Sequence, residues 1–158
     1  MVNWFLDFEA YQIGKDYYPV EICLVNGLTK RWNLFYVRYN FSYNTSTTHY
    51  QFKKHGIRWD DGNVSLNTAL NAILRRVKRR DVIYVKGEQK RVFLQNFIWF
   101  DRRIEEIVCA SRMRDLVEMY EDETCWKHSG LTKHHRHNLS CARHKCFALA
   151  SFFDNVFD

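Results

Sequence analysis

The sequence predicts an α/β fold, a mixed five-stranded sheet flanked by helices. Two observations carry this. Three strand-like runs come first, joined by hairpin turn signals, and from residue 65 onward helical spacing alternates with short β-branched runs. Strands that begin as hairpins and later alternate with helices imply antiparallel and parallel pairing within one sheet. At 158 residues, with no linker and no internal repeat, residues 1–158 read as a single domain.

The first strand is expected over Val2 to Phe8 and the second over Tyr18 to Val25, both apolar on two faces. The third is expected over Leu34 to Tyr39, aromatic and β-branched. Ile13-Gly14-Lys15-Asp16 and Asn26-Gly27 supply the turns of an antiparallel meander. Leu66, Leu70, Ile73, Leu74 and Val77 fall at helical spacing, with Asn63 or Ser65 as the cap and Arg75 to Arg80 complementing the helix C-terminus. Asp81 to Val85 reads as a buried strand, Gly87 to Ile98 as a helix, and Ile104 to Cys109 as a fifth strand. Ala110, Met113, Leu116, Val117 and Tyr120 mark another helix. The last helix runs from about Ser140, with Ala142, Cys146, Leu149, Ala150, Phe153 and Phe157 on one stripe.

Composition removes several classes. Apolar residues at 46%, charged residues at 27% and a single proline exclude a disordered chain and a collagen-like repeat. No apolar run is long enough to span a membrane. Met1 to Ala10 holds Asp7 and Glu9 and lacks a basic leader, so an intracellular protein is expected. Five cysteines without a secretory leader argue against a disulfide framework and bring metal ligation forward.

Two groups of residues carry candidate chemistry. Asp7-Phe8-Glu9 places two carboxylates on one face of a strand, an arrangement with which nucleases hold divalent cations. On the motif alone the favoured reading is structural, a half-buried Asp7 beside a Glu9 at an exposed strand end. The segment after the fourth strand adds only Glu88 in a basic run. The last helix offers His137 or His144 nearby but no aspartate before Asp154, so a complete two-metal carboxylate set is missing.

The second group is Cys125-Trp126-Lys127-His128, a Cys-x-x-His pair with good chelate spacing for zinc. Cys141 follows just inside the last helix, where the helix dipole favours thiolate. Cys146 lies on the apolar stripe and reads as core, with Cys23 and Cys109. The fourth ligand stays open between a histidine such as His137 and Glu21, a carboxylate inside an apolar strand. Burying such a group is expensive unless it is paired, hydrogen-bonded or metal-bound.

These motifs resemble the Maelstrom domain, a divergent relative of the DEDD-type 3′–5′ exonucleases with a ribonuclease H-like fold. The resemblance rests on Pro19-Val20-Glu21-Ile22-Cys23, on Tyr84-Val85-Lys86-Gly87, and on Cys125-Trp126-Lys127-His128 followed by Cys141-Ala142. It implies a Glu-Cys-His-Cys zinc set of Glu21, Cys125, His128 and Cys141. The gap from His128 to Cys141 is longer than the family's usual spacing, which leaves His137 as an alternative ligand. Asp7 and Glu9 look more like the active exonuclease relatives, whose other acids this chain lacks. The family also implies ribonuclease activity that does not use the usual acidic set.

Charge is polarised along the chain. Arg75 to Arg103 holds ten basic and three acidic residues, Ile104 to Trp126 seven acidic and two basic, and Lys127 to Lys145 five basic and none acidic. Arg75, Arg76, Lys78, Arg79 and Arg80 form the densest run, suited to phosphates or simply to a solvated helix end. From Lys30 to Trp59 aromatics interleave with cations, a mixture that suits single-stranded nucleic acid, although most of these rings must serve the core. The leading expectation is an RNA-binding or single-stranded nucleic-acid-binding domain of exonuclease ancestry with a structural zinc. The alternative is a nuclease whose Asp7 and Glu9 hold Mg²⁺ or Mn²⁺, helped by Glu21 or Glu88. A protein-interaction module is a third reading.

Overall fold

The computed structural model of the protein describes residues 1–41, 57–107 and 141–157. The chain forms β1 (Asn3–Ile13), β2 (Asp16–Asn26), β3 (Trp32–Tyr36), α1 (Leu66–Arg76), β4 (Val82–Val85), α2 (Glu88–Gln95), β5 (Arg103–Glu106) and α3 (Ala142–Phe157). The five strands make one sheet in the order β3-β2-β1-β4-β5. β1–β2 and β2–β3 are antiparallel, and β1–β4 and β4–β5 are parallel. This is the mixed, helix-flanked sheet expected from the sequence.

Alternation along each strand builds two cores. Trp4, Leu6 and Phe8 of β1 join Ile22, Leu24, Ile83 and Val85 against Ala69, Leu70 and Ile73 of α1 and Leu94 of α2. Phe5, Cys23 and Val25 turn the other way and pack on Ala142, Cys146, Leu149 and Ala150 of α3. The sheet is therefore covered on both faces, as parallel pairing requires. A third, smaller cluster gathers Tyr11, Val20 and Ile57, with Tyr18, Tyr36, Tyr39 and Trp59 against them. Tyr39 stacks on Trp59 at 4.9 Å, and Tyr11 donates to the Ile57 carbonyl at 2.6 Å, so these rings serve packing.

Element boundaries differ from the expected ones for identifiable reasons. β1 and β2 are longer, because Gly14, at φ +64°, closes a tight turn between Ile13 and Asp16 and pairing continues to it. β3 starts earlier, at Trp32, and ends at Tyr36, after which Val37 bridges to Val64. Ser65, one of the two expected caps, accepts from the Thr68 N–H at 3.1 Å. α1 stops at Arg76 because Val77 is extended and buried, and Lys78 to Asp81 form a turn. Only Arg75 and Arg76 lie in the last helical turn. Lys78, Arg79 and Arg80 stand beyond it. α2 ends at Gln95, leaving Ile98 93% exposed. The expected helix around 110–120 lies outside the described residues.

Asp81 fixes the parallel junction between β1 and β4. Its carboxylate accepts from the Val2 N–H (2.9 Å), the Lys78 N–H (2.9 Å) and the Trp4 indole (3.1 Å). Burial alone would raise this carboxyl, but those bonds, with the nearby N-terminal charge, hold it below the usual carboxylate range. Asp81→Ala is expected to lower unfolding stability by about 2–4 kcal/mol in urea titration. Because the folded pKa is depressed, the Asp81 contribution is present at neutral pH and is lost as pH falls through that value. The gap between wild type and Asp81→Asn should therefore shrink in acid, and a gap independent of pH would contradict this role.

Candidate functional site

β1 carries Asp7 and Glu9 on the face that α3 covers, with Phe5 one step before them. Asp7 lies opposite Cys23 of β2, and Glu9 lies opposite Glu21. A bulge follows at once, between Glu9 and Ala10. Phe5 is level with Tyr84 in the parallel β1–β4 pair, so β4 ends level with Leu6 and both carboxylates project past its C-terminal end. Open α/β sheets place ligands in this crevice beyond the carboxyl ends of parallel strands.

Three carboxylates thus share one face of the sheet. Asp7 and Glu21 are both 0% exposed. Glu9 is mid-strand and only partly exposed, not at an exposed strand end, because β1 runs on to Ile13. The acids are answered from two helices, Asp7 from α2 and Glu9 and Glu21 from α3. Lys90, in the first turn of α2, donates to Asp7 Oδ1. Lys145, in the first turn of α3, donates to Glu9 Oε1. Glu21 accepts the Ala142 backbone N–H at 2.7 Å and so caps α3 from the neighbouring strand.

Local sequence explains how the lysines arrive. Gly87 takes φ +106° at the end of β4, which turns the chain directly into α2. Lys90 then reaches Asp7 with its stem close to the Phe8 ring, its Nζ 5.4 Å from the ring centroid. In α3, Ala142, Cys146, Leu149 and Ala150 anchor the helix on the sheet, and Lys145 beside that stripe points at Glu9. Cys146 donates its Sγ–H to the Phe5 carbonyl at 2.9 Å and is core, as expected.

Burial raises the Glu9 carboxyl, the facing Lys145 ammonium lowers it, and the Asp7 carboxylate raises it again, with a net value above the usual range. Burial alone would lower the Lys145 ammonium, but the Glu9 and Asp7 carboxylates outweigh that and hold it above the usual lysine range. Asp7 Oδ2 is buried and has no hydrogen-bond partner among the described residues.

The candidate residues separate into three locations. Asp7, Glu9 and Glu21 share one face of the sheet. Cys141 is buried and directly precedes Ala142, whose N–H binds Glu21, so two of the four candidate zinc ligands stand at one helix end. Cys125, His128 and His137 lie outside the described residues. Among the described residues, no three His, Cys, Asp or Glu side chains are grouped to hold a metal ion. Glu88 does not join the carboxylates, because it is exposed and pairs with Arg91. Asp154 likewise pairs with Lys30. Arg75, Arg76, Lys78, Arg79 and Arg80 are all exposed, around the turn that precedes β4 at the other end of the sheet from Asp7. Arg79 pairs with Asp101 at 2.8 Å.

Lys90 and Lys145 are the residues that sequence reading missed. In the sequence both stand as members of basic runs. The signal that could have found them is the need of a buried Asp-x-Glu pair for compensating charge. A groove of about 480 Å³ also borders α2, lined by Lys15, Tyr17, Gln89, Phe93, Asn96 and Phe97. Tyr17 donates to Gln89 Oε1 across it at 2.8 Å.

No protein-family model matches the chain, and no curated protein matches it in sequence. Solved structures do match in fold. The Mopeia virus exonuclease domain partially complexed with manganese superposes with a TM-score of 0.65 at 20% identity, covering 95% of this chain and 76% of that one. The same viral domain depleted of manganese gives a TM-score of 0.62 at 18% identity with the same coverage. The zinc-bound E. coli ExoI–ssDNA complex gives 0.59 at 11% identity, covering 96% of this chain and 39% of that one. The chain has an exonuclease-like fold.

If Lys145 sustains the Glu9 charge, Lys145→Met raises the Glu9 carboxyl further. A raised folded pKa contributes stability that is present below the ordinary glutamate value and lost as pH rises through the folded one. Thermal melts of the variant should fall as pH rises above the ordinary glutamate value, opening a gap of about 3–5 kcal/mol from wild type. Parallel pH profiles for the two proteins would contradict the pairing.

Proposed function

We propose that this chain is a nucleic-acid-binding domain on an exonuclease-like fold, directed at single-stranded RNA or DNA, with RNA the favoured partner. The observation that carries the reading is the crevice itself: an exonuclease-like sheet keeps Asp7 and Glu9 in place but closes them with Lys90 and Lys145. Binding is retained by the surface. Arg75, Arg76, Lys78, Arg79 and Arg80 offer phosphate contacts at one end of the sheet. Trp32, half-exposed with Arg143 5.8 Å from its ring centroid, and the Tyr17–Phe93–Phe97 groove offer faces on which bases stack.

The Maelstrom-like zinc belongs to the same proposal. Two thiolates, an imidazole and a carboxylate form a donor set suited to zinc. Glu21 and Cys141 stand at the start of α3, and Cys125 and His128 (or His137) would complete the set. Such a zinc would be structural, with four protein ligands and no open position, tying residues 125–128 to β2 and α3. Residues 1–158 then act as one binding domain, inside the cell. Among the described residues no helix is long and apolar enough to cross a membrane.

The alternative, hydrolysis by Mg²⁺ or Mn²⁺ on Asp7 and Glu9, stands second because the ammonium groups oppose it. A divalent cation about 4 Å from one ammonium meets a repulsion of about 8 kcal/mol at an effective dielectric of about 20, twice that for two unit charges. With both ammoniums on their carboxylates the site does not fit that metal.

The test uses end-labelled RNA and DNA with Mg²⁺, Mn²⁺ or EDTA. Wild type should retard single strands without shortening them, with affinity falling as salt rises and when Arg75, Arg76, Arg79 and Arg80 are neutralised. Shortening that disappears in Asp7→Asn/Glu9→Gln would establish the nuclease instead.

A further inference from the structure

We infer that Lys90 and Lys145 are the resident cations of the acidic crevice, and that removing them uncovers a binding site for a hard divalent cation such as Mn²⁺ or Mg²⁺. The inference rests on the reading of Asp7 and Glu9 as a closed site. It does not depend on whether the domain binds nucleic acid, and the two are tested separately.

Convergence is the first support. The lysines come from two different helices, 83 and 136 residues from their acidic partners, and meet two carboxylates on alternate residues of one strand. The side chains are well covered, 21% and 0% exposed for Lys90 and Asp7 and 14% each for Lys145 and Glu9. Two ammoniums on two carboxylates supply two positive charges, the amount a single divalent ion would bring. Asp7 and Glu9 are thus each answered by an ammonium, and Glu21, the third acid of this face, is held by the Ala142 N–H instead.

The unsatisfied oxygen is the second support. Among the described residues Asp7 Oδ2 is buried without a partner, while Oδ1 takes Lys90. A buried carboxylate oxygen left over is costly in a closed ion pair but is an available donor once the ammonium leaves. Oxygen donors alone suit Mg²⁺ or Mn²⁺ better than softer metals. Glu21 is not available to the same ion without cost, because its Oε1 caps α3.

A pair of lysines present only to anchor helices would behave differently when removed. Stability would fall, and metal would do nothing. The test is Mn²⁺ uptake by the full chain, read as loss of the free-ion electron paramagnetic resonance signal, in wild type, Lys90→Met, Lys145→Met and the double variant. Methionine keeps the apolar stems packed, and far-UV circular dichroism checks folding. Wild type should leave the signal unchanged. The lysine variants should quench it, lose that uptake when Asp7→Asn is added, and melt higher with Mn²⁺ than without, while the wild-type melt does not move. Should the double variant not fold, the single variants are read the same way. Asp7-dependent uptake by wild type would overturn the inference, as would folded lysine variants that take up no Mn²⁺. Loss of RNA retardation with this pattern intact would count against the proposed function alone.

Discussion

Asp7, Glu9 and Glu21 are charges buried on one face of a sheet, and much of the structure on that face is arranged to answer them. An unpaired buried charge costs several kcal/mol, more than one apolar side chain returns. Each acid therefore determines something else. Asp7 draws Lys90 of α2, Glu9 draws Lys145 of α3, and Glu21 holds the first N–H of α3. The apolar stripe of α3 decides that the helix packs on the sheet. The polar contacts decide where along the sheet it starts.

This arrangement separates fold from chemistry. The sheet order and the position of the crevice are exonuclease-like, but activity resides in the side chains that fill a site rather than in the fold that presents it. Here the crevice is filled by the chain's own cations. A surface that contacts backbone and bases loses nothing by this, because phosphate contacts need positive charge and stacking needs rings. The densest basic run lies at the opposite end of the sheet from the crevice, so a strand held there need not enter it.

The sheet was legible because its causes are local. The hairpin turn at Gly14, the helical spacing from Leu66 and the buried run Val82–Val85 each act within a few residues, and strand periodicity correctly placed Asp7 and Glu9 on one face. Helix ends were less legible, because Asp81 holds the turn after α1 through bonds to Val2 and Trp4, far away in sequence. The partners of the acids were invisible for the same reason. Lys90 and Lys145 sit among other cations, and nothing nearby marks them as internal. Glu21 was flagged as a carboxylate needing a partner, and the structure supplies one in the α3 N–H. Cys146 and Cys23 were read as core and are core.

The central claim is that the acidic crevice is neutralised from within. Manganese anomalous diffraction from wild-type crystals soaked in Mn²⁺ tests it most directly. The predicted map has no manganese peak at Asp7 and Glu9, with Lys90 Nζ and Lys145 Nζ on their carboxylates. A peak coordinated by both acids, with the two lysines swung away, would contradict it.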